Sequence, residues 1–252
     1  MIIIKKYVYI LMIIIINNSN RNPYIKHFIK SEKAMLSKIK TVPPPIKKTC
    51  KVIKPGQGKR SKRHCIKFVT DYLIRFLEER NIKYKTIYTT DQLIDIIKSG
   101  VDVKGVIISG SDLRFKVHTI PYKLLLPSIL AIEYFKDKPI FGICFGFQLI
   151  NHYFGGDMGK AINFLDKEYD IKIKTPGWFF NKSHNGNFKF YNGDVVTKPG
   201  KGFIDNSYQY NEWGVSPLVE HKKLKIIGTQ FHPELSGKVG AKILTDFLAL
   251  CK

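Results

Sequence analysis

Gly142-Ile143-Cys144-Phe145-Gly146-Phe147-Gln148 decides how the rest of this chain is read. A short apolar run, Pro139-Ile140-Phe141, leads into it, and Leu149-Ile150-Asn151-His152-Tyr153-Phe154 follows. The first run reads as a strand and the second as a helix. A cysteine between two glycines at such a join is the pattern of a nucleophile elbow. The backbone turns sharply there, the glycines allow close packing, and the central side chain is pushed out above the sheet edge. A helix N-terminus below the turn favours negative charge, a thiolate included.

Ile226-Ile227-Gly228-Thr229-Gln230-Phe231-His232-Pro233-Glu234 supplies the second half of the pattern. It reads as a strand that ends in a His-Pro-Glu corner. A nucleophilic cysteine needs a base, and histidine titrates near neutrality. The histidine needs a group that fixes its tautomer, and Glu234 can provide it. Cys144, His232 and Glu234 then form a candidate triad, with the nucleophile first in chain order. The plainer readings, a buried small hydrophobe for the cysteine and a structural histidine near a strand end, fit poorly once both motifs are taken together.

The two motifs resemble those of class I glutamine amidotransferases. Residues 142–148 match every fixed position of Gly-x-Cys-x-Gly-x-Gln, and residues 230–234 match Gln-Phe-His-Pro-Glu without a gap. The resemblance runs from about residue 66 to the end, and within the family the wording is closest to the amidotransferase unit of GMP synthase. It implies a class I glutamine amidotransferase-like (flavodoxin-like) α/β fold: a three-layer sandwich around a mostly parallel central sheet, with an antiparallel insertion. It also implies a reaction, hydrolysis of the glutamine side-chain amide to glutamate and ammonia through a cysteinyl thioester. No metal or cofactor enters. Ammonia would pass to a synthetase, and because no GxxxxGK[ST] loop is present the acceptor would be a separate chain, or absent.

By the same resemblance, the backbone N–H of Phe145 is one oxyanion donor. The second comes from the loop after Val106-Ile107-Ile108, where the family shows Ser-Gly-Gly-Pro and this chain shows Ser109-Gly110-Ser111-Asp112. Gly110 is retained, and the N–H of Ser111 can serve. Gln148 corresponds to a glutamine that lines the substrate pocket. The family's Ser-His-x-Asp-like stretch, which helps hold the glutamine, is assigned here to Asn206–Trp213, where its histidine and aspartate are both missing. Ser183-His184 echoes that stretch, but it stands early in the chain and reads as turn chemistry. The departure leaves two rivals to glutamine hydrolysis. One is a γ-glutamyl hydrolase or peptidase with the same triad, and the other a catalytically weak binding or regulatory homologue.

The chain has 252 residues, 44% of them hydrophobic, enough for one good-sized core plus an appendage. Cys50, Cys65, Cys144 and Cys251 show no paired spacing and no zinc-type cluster. A reactive thiol suits a reducing, cytoplasmic compartment. The net charge of +22 is uneven. Residues 1–67 hold 17 Lys or Arg against the single acid Glu32. The expectation is therefore a division into 1–61, an apolar stub and a basic, disordered N-terminal arm, and 62–252, the amidotransferase-like domain. The arm could touch nucleic acid, an anionic membrane or an acidic partner, although a solvated tail is the favoured reading. Ile2–Ile16 is apolar apart from Lys5 and Lys6, short of the roughly 20 residues of a membrane span. It would be a signal-anchor core, or lie upstream of a true start at Met35.

Apolar spacing and breakers predict the remaining elements. Cys65–Val69 is expected as a short first strand. Helices are expected over 71–80, 91–98 with Thr90 or Asp91 as cap, 122–135, 145–154 and 239–250. Further strands are expected over 83–88, 105–108, 139–143 and 226–231. Residues 166–220 lose helical periodicity, as an antiparallel or mixed insertion would. Strand–helix alternation on either side implies a parallel sheet with crossover helices.

Overall fold

The computed structural model describes residues 12–18, 69–115, 120, 122–207 and 216–252. Nine strands are present among them: β1 (Met12–Ile16), β2 (Tyr84–Ile87), β3 (Val103–Ile108), β4 (Ile140–Ile143), β5 (Asp157–Ile171), β6 (Gly186–Lys198), β7 (Phe203–Asp205), β8 (Leu218–His221) and β9 (Ile226–Thr229). Five α-helices accompany them: α1 (Val69–Glu78), α2 (Thr90–Lys98), α3 (Tyr122–Tyr134), α4 (Phe145–Tyr153) and α5 (Gly237–Leu250). Seven strands form one sheet in the order β2-β1-β3-β4-β9-β8-β7. The first five run parallel, and β8 and β7 close the edge antiparallel. The parallel block has the flavodoxin-like order, with the second strand outside the first. The expected α/β sandwich is the fold observed.

Alternation along β1 shows how the layers form. Ile13 and Ile15 pack into one apolar cluster with Leu73 and Leu77 of α1 and Ile243 and Phe247 of α5. Ile14 and Ile16 pack into another with Leu93 of α2, Leu124 and Ala131 of α3 and Phe147 of α4. Helices therefore cover both faces, so the central strands are apolar along their whole length rather than at every second residue.

This explains where the sequence reading was wrong. The apolar run was expected to be a stub outside the domain, yet Met12–Ile16 is the strand that joins β2 to β3. A doubly covered parallel strand and a short signal-like core have the same hydropathy, and only the partners tell them apart. The division at residue 61/62 therefore fails, and a start at Met35 would omit a central strand. The expected first strand, Cys65–Val69, falls mostly outside the described residues, and Val69 opens α1. The basic tract is also not an N-terminal arm. The Thr70 hydroxyl donates to Asn17 Oδ1 at 3.4 Å, so the end of β1 and the start of α1 adjoin. Residues 19–68 are inserted between them.

The remaining elements fall close to their expected bounds. The cap of α2 is Thr89, whose hydroxyl accepts from Gln92 N–H, rather than Thr90 or Asp91. The expected antiparallel insertion is the pair β5–β6, with a register shift between Lys160 and Leu165. The chain between them is anchored by Glu220 of β8. Its buried carboxylate accepts the backbone N–H groups of Trp178, Phe179 and Phe180 at 2.7, 3.0 and 2.9 Å. Ser183 and His184 lie in a short 3-10 turn capped by Asn181, as turn chemistry predicts. His184 is nevertheless buried, stacked on Phe179 and hydrogen-bonded to Asp246 at 2.8 Å.

Candidate active site

Cys144 stands between β4 and α4 with φ 53° and ψ −105°. A left-handed φ is costly for a residue with a side chain, and it marks the strained turn of an elbow. The flanking glycines are required by close approach. A Cβ on Gly146 would come within 2.0 Å of the Ile108 carbonyl oxygen, and one on Gly142 within 2.8 Å of the Phe147 nitrogen. The helix thus starts directly against β3. Cys144 N–H donates to Thr229 O at 2.8 Å, which ties the elbow to β9. The first N–H groups of a helix have no acceptor within it, so α4 presents donors beside the sulfur.

β9 delivers the histidine. Phe231 stacks on Phe188 of β6 at 4.0 Å between centroids, and His232 N–H donates to Lys189 O at 2.8 Å. Pro233–Leu235 then makes one 3-10 turn. This turn brings Glu234 back onto His232, with Oε1 2.9 Å from Nδ1 and both side chains buried. Nδ1 therefore carries the hydrogen, and Nε2 is the reactive nitrogen. Nε2 is buried without a well-formed hydrogen bond. The surroundings of the ring pull its protonation in opposite directions. Burial disfavours the imidazolium, but the negative charge of a Cys144 thiolate and then of Glu234 outweigh it and push the pKa up to about 10.

Gly110 completes the contact between the two halves. A Cβ there would lie 3.1 Å from His232 Cε1 and 3.6 Å from Cys144 Cβ. Ser111 follows on the same loop, where its hydroxyl accepts from Leu113 N–H. Gln148 reaches from the second turn of α4 to β6. Its Nε2 donates to Asp194 O at 2.8 Å and, more weakly, to Gln230 Oε1 at 3.4 Å. Gln230 Oε1 also accepts Val196 N–H. The structure therefore gathers all seven residues singled out by sequence: Cys144, His232, Glu234, Gly110, Ser111, Phe145 and Gln148. A small pocket opens beside the thiol, lined by Ser111, Phe145 and Gln148 and by residues of β6.

The β6 wall is Tyr191-Asn192-Gly193-Asp194. The substrate-side stretch was sought at Asn206–Trp213. Of that segment, 208–213 lie outside the described residues, and Asn206 and Ser207 do not border the cavity. The four residues of β6 end on an aspartate, as Ser-His-x-Asp does, but Tyr and Asn replace the first two. Searching for the aspartate with the earlier positions relaxed would have found them. Arg114 was missed as well. Its Nε and Nη2 hold Asp194 Oδ1 at 3.1 and 2.7 Å.

Residues 64–251 match the family model for class-I glutamine amidotransferases. The chain belongs to that family. This class-I amidotransferase is 30% identical over 188 residues to GMP synthase [glutamine-hydrolyzing] of Dictyostelium discoideum, covering 69% of this chain and 25% of the relative. It is also 30% identical over 186 residues to a GMP synthase [glutamine-hydrolyzing] subunit of Methanocaldococcus jannaschii, covering 68% of this chain and 89% of that one. The chain thus spans only a quarter of the Dictyostelium protein but most of the Methanocaldococcus subunit. Among solved structures, a candidate GMP synthase subunit from Thermoplasma acidophilum superposes with a TM-score of 0.62 at 18% identity, over 96% of this chain and 94% of the other. A glutamine amidotransferase from Thermotoga maritima gives 0.50 at 16%, over 70% and 74%. At those identities the superpositions show the fold alone. No helix among the described residues is long and apolar enough to cross a membrane.

Proposed function

We propose that this amidotransferase hydrolyses the side-chain amide of glutamine to glutamate and ammonia through a thioester on Cys144, and hands the ammonia to a separate synthetase chain. The observation that carries this reading is the strained elbow of Cys144 beside a histidine that Glu234 holds at 2.9 Å. His232 Nε2 takes the thiol proton, and the thiolate attacks the amide carbon. The oxyanion forms against the N–H groups of Phe145 and Ser111. The imidazolium then protonates the departing nitrogen, the C–N bond breaks and ammonia leaves. Neutral His232 next takes a proton from water, whose oxygen attacks the thioester. The proton returns to sulfur as glutamate is released. The similarity to the Methanocaldococcus subunit, 89% of which the match covers, supports a synthetase on another chain.

Tyr191 and Asn192, where the family pattern has Ser and His, favour a second reading. In it the same triad cleaves a different γ-glutamyl amide or peptide. Glutamate release by wild type and by Cys144→Ala, from glutamine and from γ-glutamyl dipeptides, separates the two. Release from glutamine that needs Cys144 supports the first reading, and release confined to the dipeptides supports the second. Equal release by both proteins from either substrate overturns both.

A further inference from the structure

The outward face of α3 differs from those of the other surface helices. α1, α2 and α5 expose charged residues, among them Arg75 and Glu78, Asp91 and Asp95, and Lys238 and Lys242. In α3, Tyr122–Tyr134, only Lys123 and Glu133 are charged, one near each end. The helix buries Leu124, Pro127, Ser128, Ala131 and Ile132. At roughly 100° per residue, that turns Tyr122, Leu126, Ile129 and Leu130 to the opposite side. Tyr122 is 63% exposed and Tyr134 56%, while Leu126, Ile129 and Leu130 between them are partly exposed. A helix that is apolar all round is normally covered on both sides, and a continuous exposed apolar stripe marks a binding face.

The two charges indicate what covers it. A helix macrodipole favours acid in the first turn and base in the last. α3 has neither, and places Lys123 in the first turn and Glu133 in the last. The order is unfavourable within one helix but complementary between two that run antiparallel. Reversed end to end about Ser128, the sequence of α3 lays Tyr122 on Tyr134, Lys123 on Glu133 and Leu126 on Leu130. The Glu133 side chain is half exposed, its carboxylate steadied by the Tyr153 hydroxyl and by Lys136 Nζ 3.9 Å away. We propose that α3 is a self-association face, which pairs antiparallel with α3 of a second copy about a two-fold axis at the level of Ser128. Each dimer then holds two Lys123–Glu133 pairs flanking a leucine and isoleucine seam.

Sedimentation velocity of the full chain over a micromolar concentration series tests this. Salt of about 0.15 M, with a screening length of about 8 Å, damps repulsion between the basic chains. One helix face is smaller than the roughly 800 Å² per partner of a standard interface, so a micromolar Kd is expected. Leu126 belongs to neither apolar cluster, so Leu126→Asp should abolish the dimer while the melting temperature holds. Lys123→Glu and Glu133→Lys should each raise Kd about tenfold, since each turns two attractive pairs into repulsive ones. Mixing those two variants should restore wild-type affinity, because opposite charges then face each other at both ends. A wild type that stays at 29.0 kDa throughout overturns the proposal. So does a Leu126→Asp protein that still dimerises, or a mixture no tighter than either variant alone. Capture of a synthetase chain through α3 by an otherwise monomeric protein assigns the face to that partner and overturns it too.

Discussion

Glu234 Oε1 lies 2.9 Å from His232 Nδ1, two residues away, with one proline and one 3-10 turn between them. The turn after the proline folds the carboxylate back onto the ring. Orientation of the imidazole is thus built into a five-residue corner that Phe231 and the Lys189 carbonyl pin to β6.

Glu234→Gln keeps the shape of that corner but removes the charge that fixes the tautomer. It is expected to lower kcat about 10²- to 10⁴-fold, with the melting temperature little changed. Steady-state ammonia release alongside thermal melting checks this.

His232 should place the alkaline limb of activity. Its pKa is raised to about 10, despite burial, by the Cys144 sulfur and by Glu234. A base whose folded pKa lies above its ordinary 6.5 is protonated through neutrality. What that proton contributes to stability is fully present below 6.5 and is lost as pH rises through about 10. Since the imidazolium must protonate the leaving nitrogen, kcat/KM should fall on approaching pH 10 rather than near 6.5. Glu234→Gln should move that limb to lower pH. A pH–rate profile shows both effects, and a limb near 6.5 in wild type would contradict the assignment.

Gly146→Ala tests the close approach of α4 to β3. The new methyl would sit 2.0 Å from the Ile108 carbonyl oxygen, and backbone cannot yield as a side chain does. A loss of about 3 kcal/mol is expected, measurable by urea denaturation.

Glu220→Ala strips the acceptor from three backbone N–H groups at 178–180. Each buried donor left unpaired costs about 1–3 kcal/mol, so a destabilisation of at least about 3 kcal/mol is expected. Hydrogen exchange should quicken first at those three amides.

Much of this molecule was legible because its chemistry is local. The strand, elbow and helix around Cys144 and the corner at His232 are each encoded in one short continuous stretch, where glycine, proline and apolar spacing act directly. The errors arose where the decisive partner is distant in sequence. Met12–Ile16 becomes a strand only beside β2 and β3, and hydropathy carries no record of that pairing. Arg114 and Asp194 are 80 residues apart and belong to no shared motif. Thr89 is the cap because its backbone is extended, φ −135°, while the candidates one and two residues later are already helical. Ser183-His184 reads as turn chemistry alone because nothing near it in sequence announces Asp246.

The hydrogen bond from Thr70 to Asn17 has a practical consequence for anyone trimming this chain. Residues 19–68 hold 15 Lys or Arg against the single acid Glu32, and they leave and rejoin the domain at adjacent points. Excising them and bridging Asn18 to Val69 with a short glycine-serine linker should yield a folded amidotransferase of much lower net charge. Cutting at residue 61 instead discards β1 and leaves β2 and β3 without the strand they share, and that fragment should be recovered unfolded.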